Sequence, residues 1–191
     1  MEEKLKQITD ANPNCIKVVL YGPESTGKST LSKALADWYD TVYVEEYSRF
    51  YAEAKAQNNL QLSKEDVLPI AIGQIAAENK QLKNANKLLI CDTDLLETKV
   101  YSEHYYGGFC PKLVKKYAHE NTYDLYFLTY IDTIWEADGI RDQPKNRQQL
   151  FNRFEQALIV SQKPYALVKG SFEERLSNCK IQIENLLKQI H

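Results

Sequence analysis

Gly22-Pro23-Glu24-Ser25-Thr26-Gly27-Lys28-Ser29 satisfies the pattern G-x-x-x-x-G-K-S/T at every fixed position, and the fold follows from how the chain enters and leaves it. In such a loop, backbone N–H groups close around phosphate oxygens, and a Cβ at either glycine would obstruct that approach. Lys28 is placed to reach the β- and γ-phosphates of a nucleotide, and Ser29 to reach a Mg²⁺ ion. The pattern carries weight only where a strand runs in and a helix runs out. Upstream, Ile16-Lys17-Val18-Val19-Leu20-Tyr21 is a β-branched apolar run; downstream, Leu31, Ala34, Leu35 and Trp38 recur at helical spacing. The stretch therefore predicts a P-loop in which Gly22, Glu24, Ser25, Thr26, Gly27, Lys28, Ser29 and Thr30 surround ATP.

Beyond that helix, Thr41-Val42-Tyr43-Val44 reads as a second strand, and Glu45-Glu46-Tyr47-Ser48-Arg49 opens the next helix. Ligands of open parallel sheets bind outside the carboxyl ends of the strands, which puts this charged cluster on the rim that carries the P-loop. The polar stretch 52–62 reads as helix end and loop, and Ser63 with Asp66 as a capping box. A long helix is expected from about Asp66 to Lys83, with Gln74 and Glu78 one turn apart. Glu78 fits a solvated position as well as a ligand contact. Lys87 to Asp92 is an apolar strand of the kind covered on both faces, closing on a carboxylate. Asp92 holds the Walker-B position, which shares the metal with Ser29. Thr93 and Asp94 follow it, not the water-activating Glu common in mechanical ATPases, and the D-x-x-G and N-K-x-D signatures of regulatory GTPases are missing. Transfer to an organic acceptor is the expectation.

A helix from about Leu95 to Tyr106, the break Gly107-Gly108 and a second helix from Pro111 to His119 come next. Tyr101, His104, Tyr105 and Tyr106 are candidates for the wall of an acceptor site, core packing being the alternative. Leu125 to Thr129 reads as the fourth strand. It leads to Trp135 and to Asp138-Gly139-Ile140-Arg141, a lid over about 134–148 whose Arg141 and Arg147 either close on phosphates or lie solvated on the surface. Asn146 to Val160 is an amphipathic helix and Tyr165 to Val168 a fifth strand. Gly170-Ser171-Phe172 falls where a loop would meet the adenine, and a last helix runs to about Ile190. Strand and helix alternate throughout, so the expected fold is three-layer α/β with about five parallel strands, as one domain over 1–191 with a small lid.

Composition limits the remaining classes. The 191 residues carry a formal net charge of -2 with no long basic block, so a nucleic-acid partner is not expected. No apolar run approaches the roughly 18 residues of a membrane helix, and the start MEEKLKQITD is too acidic for a signal peptide. No membrane insertion and a cytoplasmic location are the expectations. Cys15, Cys91, Cys110 and Cys179 show no metal-binding spacing and read as reduced thiols. Homo-oligomer formation stays open.

GPESTGKS, EEYSR after the second strand, LLICDTDLLETKVY, and DTIWEADGIR with the downstream NRQQLF together resemble the ribosylnicotinamide kinase domain of NadR-type proteins, from about Ile16 to Arg175. The resemblance implies Mg²⁺- and ATP-dependent phosphorylation of the small-molecule substrate nicotinamide riboside to nicotinamide mononucleotide. It implies that Gly22 to Ser29 cradle ATP, that Ser29 and Asp92 hold Mg²⁺, and that Glu46, Tyr47 and Arg49 answer to an E-Y-x-R element. Glu46 would take the proton of the ribose 5′-hydroxyl, with Glu45 and Asp94 as competing choices. Arg49 would neutralise the transferring phosphoryl, and Arg141 and Arg147 would close from the lid. Glu24, Glu46, Tyr47, Arg49, Gln74, Asp94, Tyr101 and Trp135 are the implied acceptor contacts. A carboxylate repels phosphate, so Glu24 is expected to face the acceptor hydroxyl or a water. The family's adenylyltransferase motif HxGH is absent, the only histidines being His104, His119 and His191, and only about 15 residues precede the first strand. Nucleotidyl transfer and DNA binding are therefore not expected. Another nucleoside or vitamin alcohol as acceptor, or a non-catalytic ATP-binding regulator, are the alternatives.

Overall fold

Side chains of β1 (Ile16–Tyr21) alternate between two helical layers, as the period of two in a strand requires. Ile16, Val18 and Leu20 pack with Leu31, Leu35 and Ala36 of α1 (Lys28–Trp38) and with Cys179 and Ile183 of α7 (Phe172–Leu187). Val19 and Tyr21 face α3 (Val67–Leu82), α4 (Leu95–Tyr105), α5 (Lys112–Glu120) and α6 (Arg147–Val160). A computed structural model describes residues 1–8, 10–133 and 146–189 of the chain. It adds β2 (Tyr43–Val44), β3 (Leu88–Asp92), β4 (Leu125–Thr129) and β5 (Tyr165–Val168) in one sheet of order β2-β3-β1-β4-β5, every neighbouring pair parallel. This is the three-layer α/β fold expected.

Register brings the carboxyl ends out together. Leu20 pairs with Asp92 on one side and Phe127 on the other, and Thr129 pairs with Val168. The chain therefore leaves β1, β3, β4 and β5 along a single rim, with the residues that follow β2 beside Asp92. The amino-terminal segment also belongs to the packing: Leu5 is fully buried, and the Ile8 N–H donates to Asn79 of α3.

Several expectations change. β2 is two residues long because Thr41 satisfies the sheet through its side chain, its hydroxyl donating to the Leu88 carbonyl at 2.6 Å and accepting from the Asn86 N–H at 3.0 Å. The helix after β2, α2 (Tyr47–Ala56), continues past residue 52, since Glu53, Ala54, Lys55 and Ala56 are strong helix formers. The capping box at Ser63 and Asp66 is present and closes a short 3₁₀ turn before α3. Glu78 is neither solvated nor at the rim: it is 2% exposed, with Tyr123 and Gln7 donating to its two oxygens at 2.6 Å each. Arg147 and Gln148, the last residues of the expected lid, form the first turn of α6. The rest of that segment, with Trp135 and Arg141, lies outside the described residues. No helix among the described residues is long and apolar enough to cross a membrane. Of the cysteines, Cys91, Cys110 and Cys179 are buried, Cys15 is half-buried, and all are free.

Candidate active site

The P-loop is clamped from outside. At Gly22 (φ 141°) a Cβ would come 2.6 Å from the Thr129 hydroxyl at the end of β4, so only glycine allows the two chains so close. The Thr26 hydroxyl donates to the Pro23 carbonyl and lies 2.7 Å from the Thr129 hydroxyl. Arg175, buried in α7, donates to the carbonyls of Thr26 (2.7 Å), Gly170 (2.9 Å) and Tyr130 (3.0 Å) and pairs with Asp132. Arg147 donates to the carbonyls of Thr133 (2.7 Å) and Ser25 (3.3 Å). The inner side of the loop is left open. Gly27, at φ 81°, is the N-cap of α1, no side chain caps that helix, and nothing lies within 4 Å of the space a Cβ would take. Orphan N–H groups at a helix start, with the positive end of its dipole, form an anion site.

Lys28, 7% exposed, lies across the loop, donating to the carbonyls of Gly22 (2.8 Å) and Pro23 (3.2 Å). Its ammonium is also 3.2 Å from the carboxylate of Glu97, which is 2% exposed and accepts from the Gly22 N–H at 3.3 Å. Burial works to neutralise both groups. For Lys28 the surrounding Glu97, Glu46 and Asp92 outweigh burial and hold its pKa above the ordinary value. For Glu97 burial, joined by Glu46 and Asp92, outweighs Lys28 and pushes the pKa well up. Lys28 among three carboxylates accounts for both: the ammonium keeps its proton, and the acids crowd one another.

Asp92 is 1% exposed and takes a hydrogen bond from the Ser29 hydroxyl, while its Oδ1 has no partner. Burial and the neighbouring Glu46 raise its pKa to about 6, against Lys28, Ser29 and Arg49. A buried carboxylate oxygen without a partner is costly and calls for a ligand. Among the described residues no group of three or more His, Cys, Asp and Glu could hold a metal. Mg²⁺ needs no such cage, since it is usually held by one or two protein oxygens together with phosphates and waters, a set that Ser29 and Asp92 fit. Ser29, Asp92, Glu45, Glu46, Arg49, Tyr43 and Phe50 line a cleft of about 230 Å³. A larger cavity, about 460 Å³, lies between α4, α5 and α6 and includes none of these residues.

The other expected site residues divide. Glu24 lies in the field of Arg147 and Tyr101, which gives the loop's acidic residue a cationic neighbour. Burial, followed by Glu97, Glu46 and Glu24, pushes the Tyr101 hydroxyl well up, and its ring packs on Phe154 at 5.2 Å. Thr30 is exposed on the first turn of α1. Tyr47 and Gln74 join α2 to α3: the Tyr47 N–H donates to Gln74 Oε1 at 2.8 Å, and the Tyr47 ring fills the space above Gly73, where a Cβ would meet it at 2.0 Å. Gln74 Nε2 is buried without a partner. Asp94 is drawn away from the cleft. It caps α4 by accepting from the Glu97 N–H at 3.0 Å, and its other oxygen accepts from the Tyr126 hydroxyl at 2.8 Å. Ser171 caps α7 in a box with Glu174, leaving Phe172 41% exposed at the rim.

Glu97, Arg175 and Thr129 were missed from sequence. The spacing Asp94-x-x-Glu97 resembles a capping box, but that pattern sends the glutamate back toward the cap and not into a loop 75 residues away.

A family model described as an AAA domain matches residues 17–175. The chain belongs to this family. It is 33% identical over 135 residues to the trifunctional NAD biosynthesis/regulator protein NadR of Salmonella typhimurium, covering 70% of this chain and 33% of that protein, with the same figures for Escherichia coli NadR. The chain thus spans about a third of the length of the curated relatives it matches. Among solved structures it is similar to a NadR protein in complex with NR (TM-score 0.68, 23% identity, 85% of this chain and 52% of that one). A NadR protein in complex with NAD and AMP-PNP gives TM-score 0.67 and 22% identity, over 85% and 50%. Deoxyadenosine kinase from M. mycoides with bound dCTP gives TM-score 0.57 and 16% identity, over 89% and 100%. This AAA-domain chain shares its fold with all three.

Proposed function

We propose that the chain is an ATP-dependent kinase that phosphorylates the 5′-hydroxyl of nicotinamide riboside to give nicotinamide mononucleotide. The observation that carries the reading is the unpartnered, buried Oδ1 of Asp92 beside Ser29, at the floor of a cleft that also holds Glu46 and Arg49. The likeness to NadR proteins, one of them in complex with NR and another with AMP-PNP, supports the choice of acceptor and donor.

In this reading the open N-terminus of α1 and Lys28 bind the polyphosphate and compensate its charge. Ser29 and Asp92 would hold Mg²⁺, which would supply charge neutralisation for the phosphates. Glu46 takes the proton of the attacking hydroxyl as the new O–P bond forms and the bond to ADP breaks, a contribution of about 10²- to 10⁴-fold. Arg49, in the same cleft, offsets charge on the transferring group. Asp94 acts as the cap of α4, so Glu46 is preferred over it as base. Glu24 and Tyr101 face the acceptor side, and Arg147, anchored to the loop at Ser25, is the described part of the closing segment.

Coupled ADP release with and without nicotinamide riboside tests the assignment; release that does not change on adding it removes the assignment. The likeness to deoxyadenosine kinase over its whole length favours a second reading, the same chemistry on another nucleoside. A thermal-shift panel of nucleosides separates the two, since a ligand at 100 times its dissociation constant stabilises by about 2.7 kcal/mol.

A further inference from the structure

Phosphoryl transfer gives Glu97 no role, yet this carboxylate is buried against the working face of the P-loop. Its two partners, the Lys28 ammonium at 3.2 Å and the Gly22 N–H at 3.3 Å, both belong to the loop. Glu97 is not the only counterion of Lys28, because Glu46 and Asp92 also bear on the same charge behind it. Nor is Glu97 well served as a structural ion pair: beyond Lys28, its Oε1 has no hydrogen-bond partner. The cap formed by Asp94 on the Glu97 N–H ties the first turn of α4 in place, so the carboxylate can leave Lys28 only by turning its side chain.

We propose that Glu97 is a counter-ligand of the P-loop lysine: its side chain competes with a polyphosphate for Lys28, and so loosens nucleotide binding and speeds release. Glu97 and a phosphate oxygen would share one ammonium at contact distance: an ionised Glu97 repels the phosphate in a site with little water or salt to screen it, and a protonated one must still give up its place on Lys28. Nucleotide must therefore either displace Glu97 or bind beside it at a cost in affinity. Release gains in proportion, because Glu97 returns to Lys28 as the phosphates leave. The inference rests on the loop as a nucleotide site and is independent of which alcohol is phosphorylated. Glu97 is a positioning residue in this role, acting through Lys28.

The test is calorimetric titration of wild type and Glu97→Gln with AMP, ADP and a non-hydrolysable ATP analogue. Glutamine keeps the side-chain length and an oxygen for the Gly22 N–H but removes the charge. The expected result is about tenfold tighter binding of ADP and the analogue, a slower off-rate for both, and unchanged AMP, which has no phosphate that reaches Lys28. Affinity for ADP that stays level or weakens overturns the proposal, and so does an equal shift for AMP, which would mark a general structural effect. If Glu97→Gln does not fold, Glu97→Asp, which withdraws the carboxylate by one methylene, is expected to shift ADP in the same direction, and no shift overturns the proposal. A wild type that binds none of the three nucleotides overturns both this inference and the nucleotide-site reading; a wild type that binds them without any difference in the variant overturns only the inference.

Discussion

The two ends of the sheet carry buried carboxylates in opposite conditions. At the amino end, Glu78 sits at the foot of β1 and β4 with Tyr123 and Gln7 on its two oxygens and the Lys17 ammonium 3.8 Å away. At the carboxyl end, Asp92 Oδ1, Glu97 Oε1, Gln74 Nε2 and Arg147 Nε are buried without hydrogen-bond partners, four of the six such side-chain atoms among the described residues. Burial raises the pKa of Glu78 as it does those of Asp92 and Glu97, so titration alone does not tell the two ends apart. Completion of hydrogen bonding does. A satisfied buried network stiffens a fold, whereas an incomplete one keeps binding capacity in reserve for a ligand.

The sharpest way to break that contrast is to remove a member of the carboxyl-end set. Lys28→Ala and Asp92→Ala are each expected to cut turnover by about 10³-fold or more with the circular dichroism spectrum of a folded domain, and Asp92→Ala is expected to leave the melting temperature close to wild type. A large loss of stability in Asp92→Ala would mean that this end is structural after all. Glu46→Gln should lower the chemical step by at least about 10²-fold in single-turnover measurements and leave nucleotide affinity little changed; an equal loss in both would remove Glu46 as the base.

The amino end should behave the other way. Glu78→Ala orphans the Tyr123 hydroxyl and leaves Lys17 short of an anion, so denaturant unfolding should show a loss of roughly 2–4 kcal/mol with ADP affinity unchanged. The smallest effect is expected at α2, which carries Arg49 yet buries no residue and is held by polar contacts. There Lys55 and Tyr51 both bond Asp66. Burial acts to raise the Asp66 pKa, but hydrogen bonds from Lys55, Ser63 and Tyr51 win and hold it at about 2, below its ordinary 3.8. A folded-state pKa below the unfolded one adds stability that is complete above about pH 4 and fades as pH falls toward 2. The stability difference between wild type and Asp66→Asn should therefore be level above that range and shrink within it; a difference that grows on acidification would contradict the sign.

Much of this was legible in the sequence, for local reasons. β1, β4 and β5 begin and end where their apolar runs do, because the residues that pack between the sheet and its helices must be apolar along most of each strand. β2 was read two residues too long because Thr41 pairs through its hydroxyl, which β-propensity does not register. Tyr47 and Gln74, expected at the acceptor, also hold α2 to α3, a contact that depends on the missing Cβ of Gly73 and that no local pattern showed.

By itself the sequence determined the alternation of strands and helices, the phosphate loop, and the carboxylate that closes β3. These depend on neighbours a few residues apart, where periodicity and backbone chemistry act directly. Only the tertiary structure decided that Asp94 caps a helix, that Arg175 clamps a loop 149 residues before it, and that Glu97 lies on Lys28. Those roles come from the sheet order and parallel register, which bring distant segments to one rim, and no local pattern encodes which charges meet there.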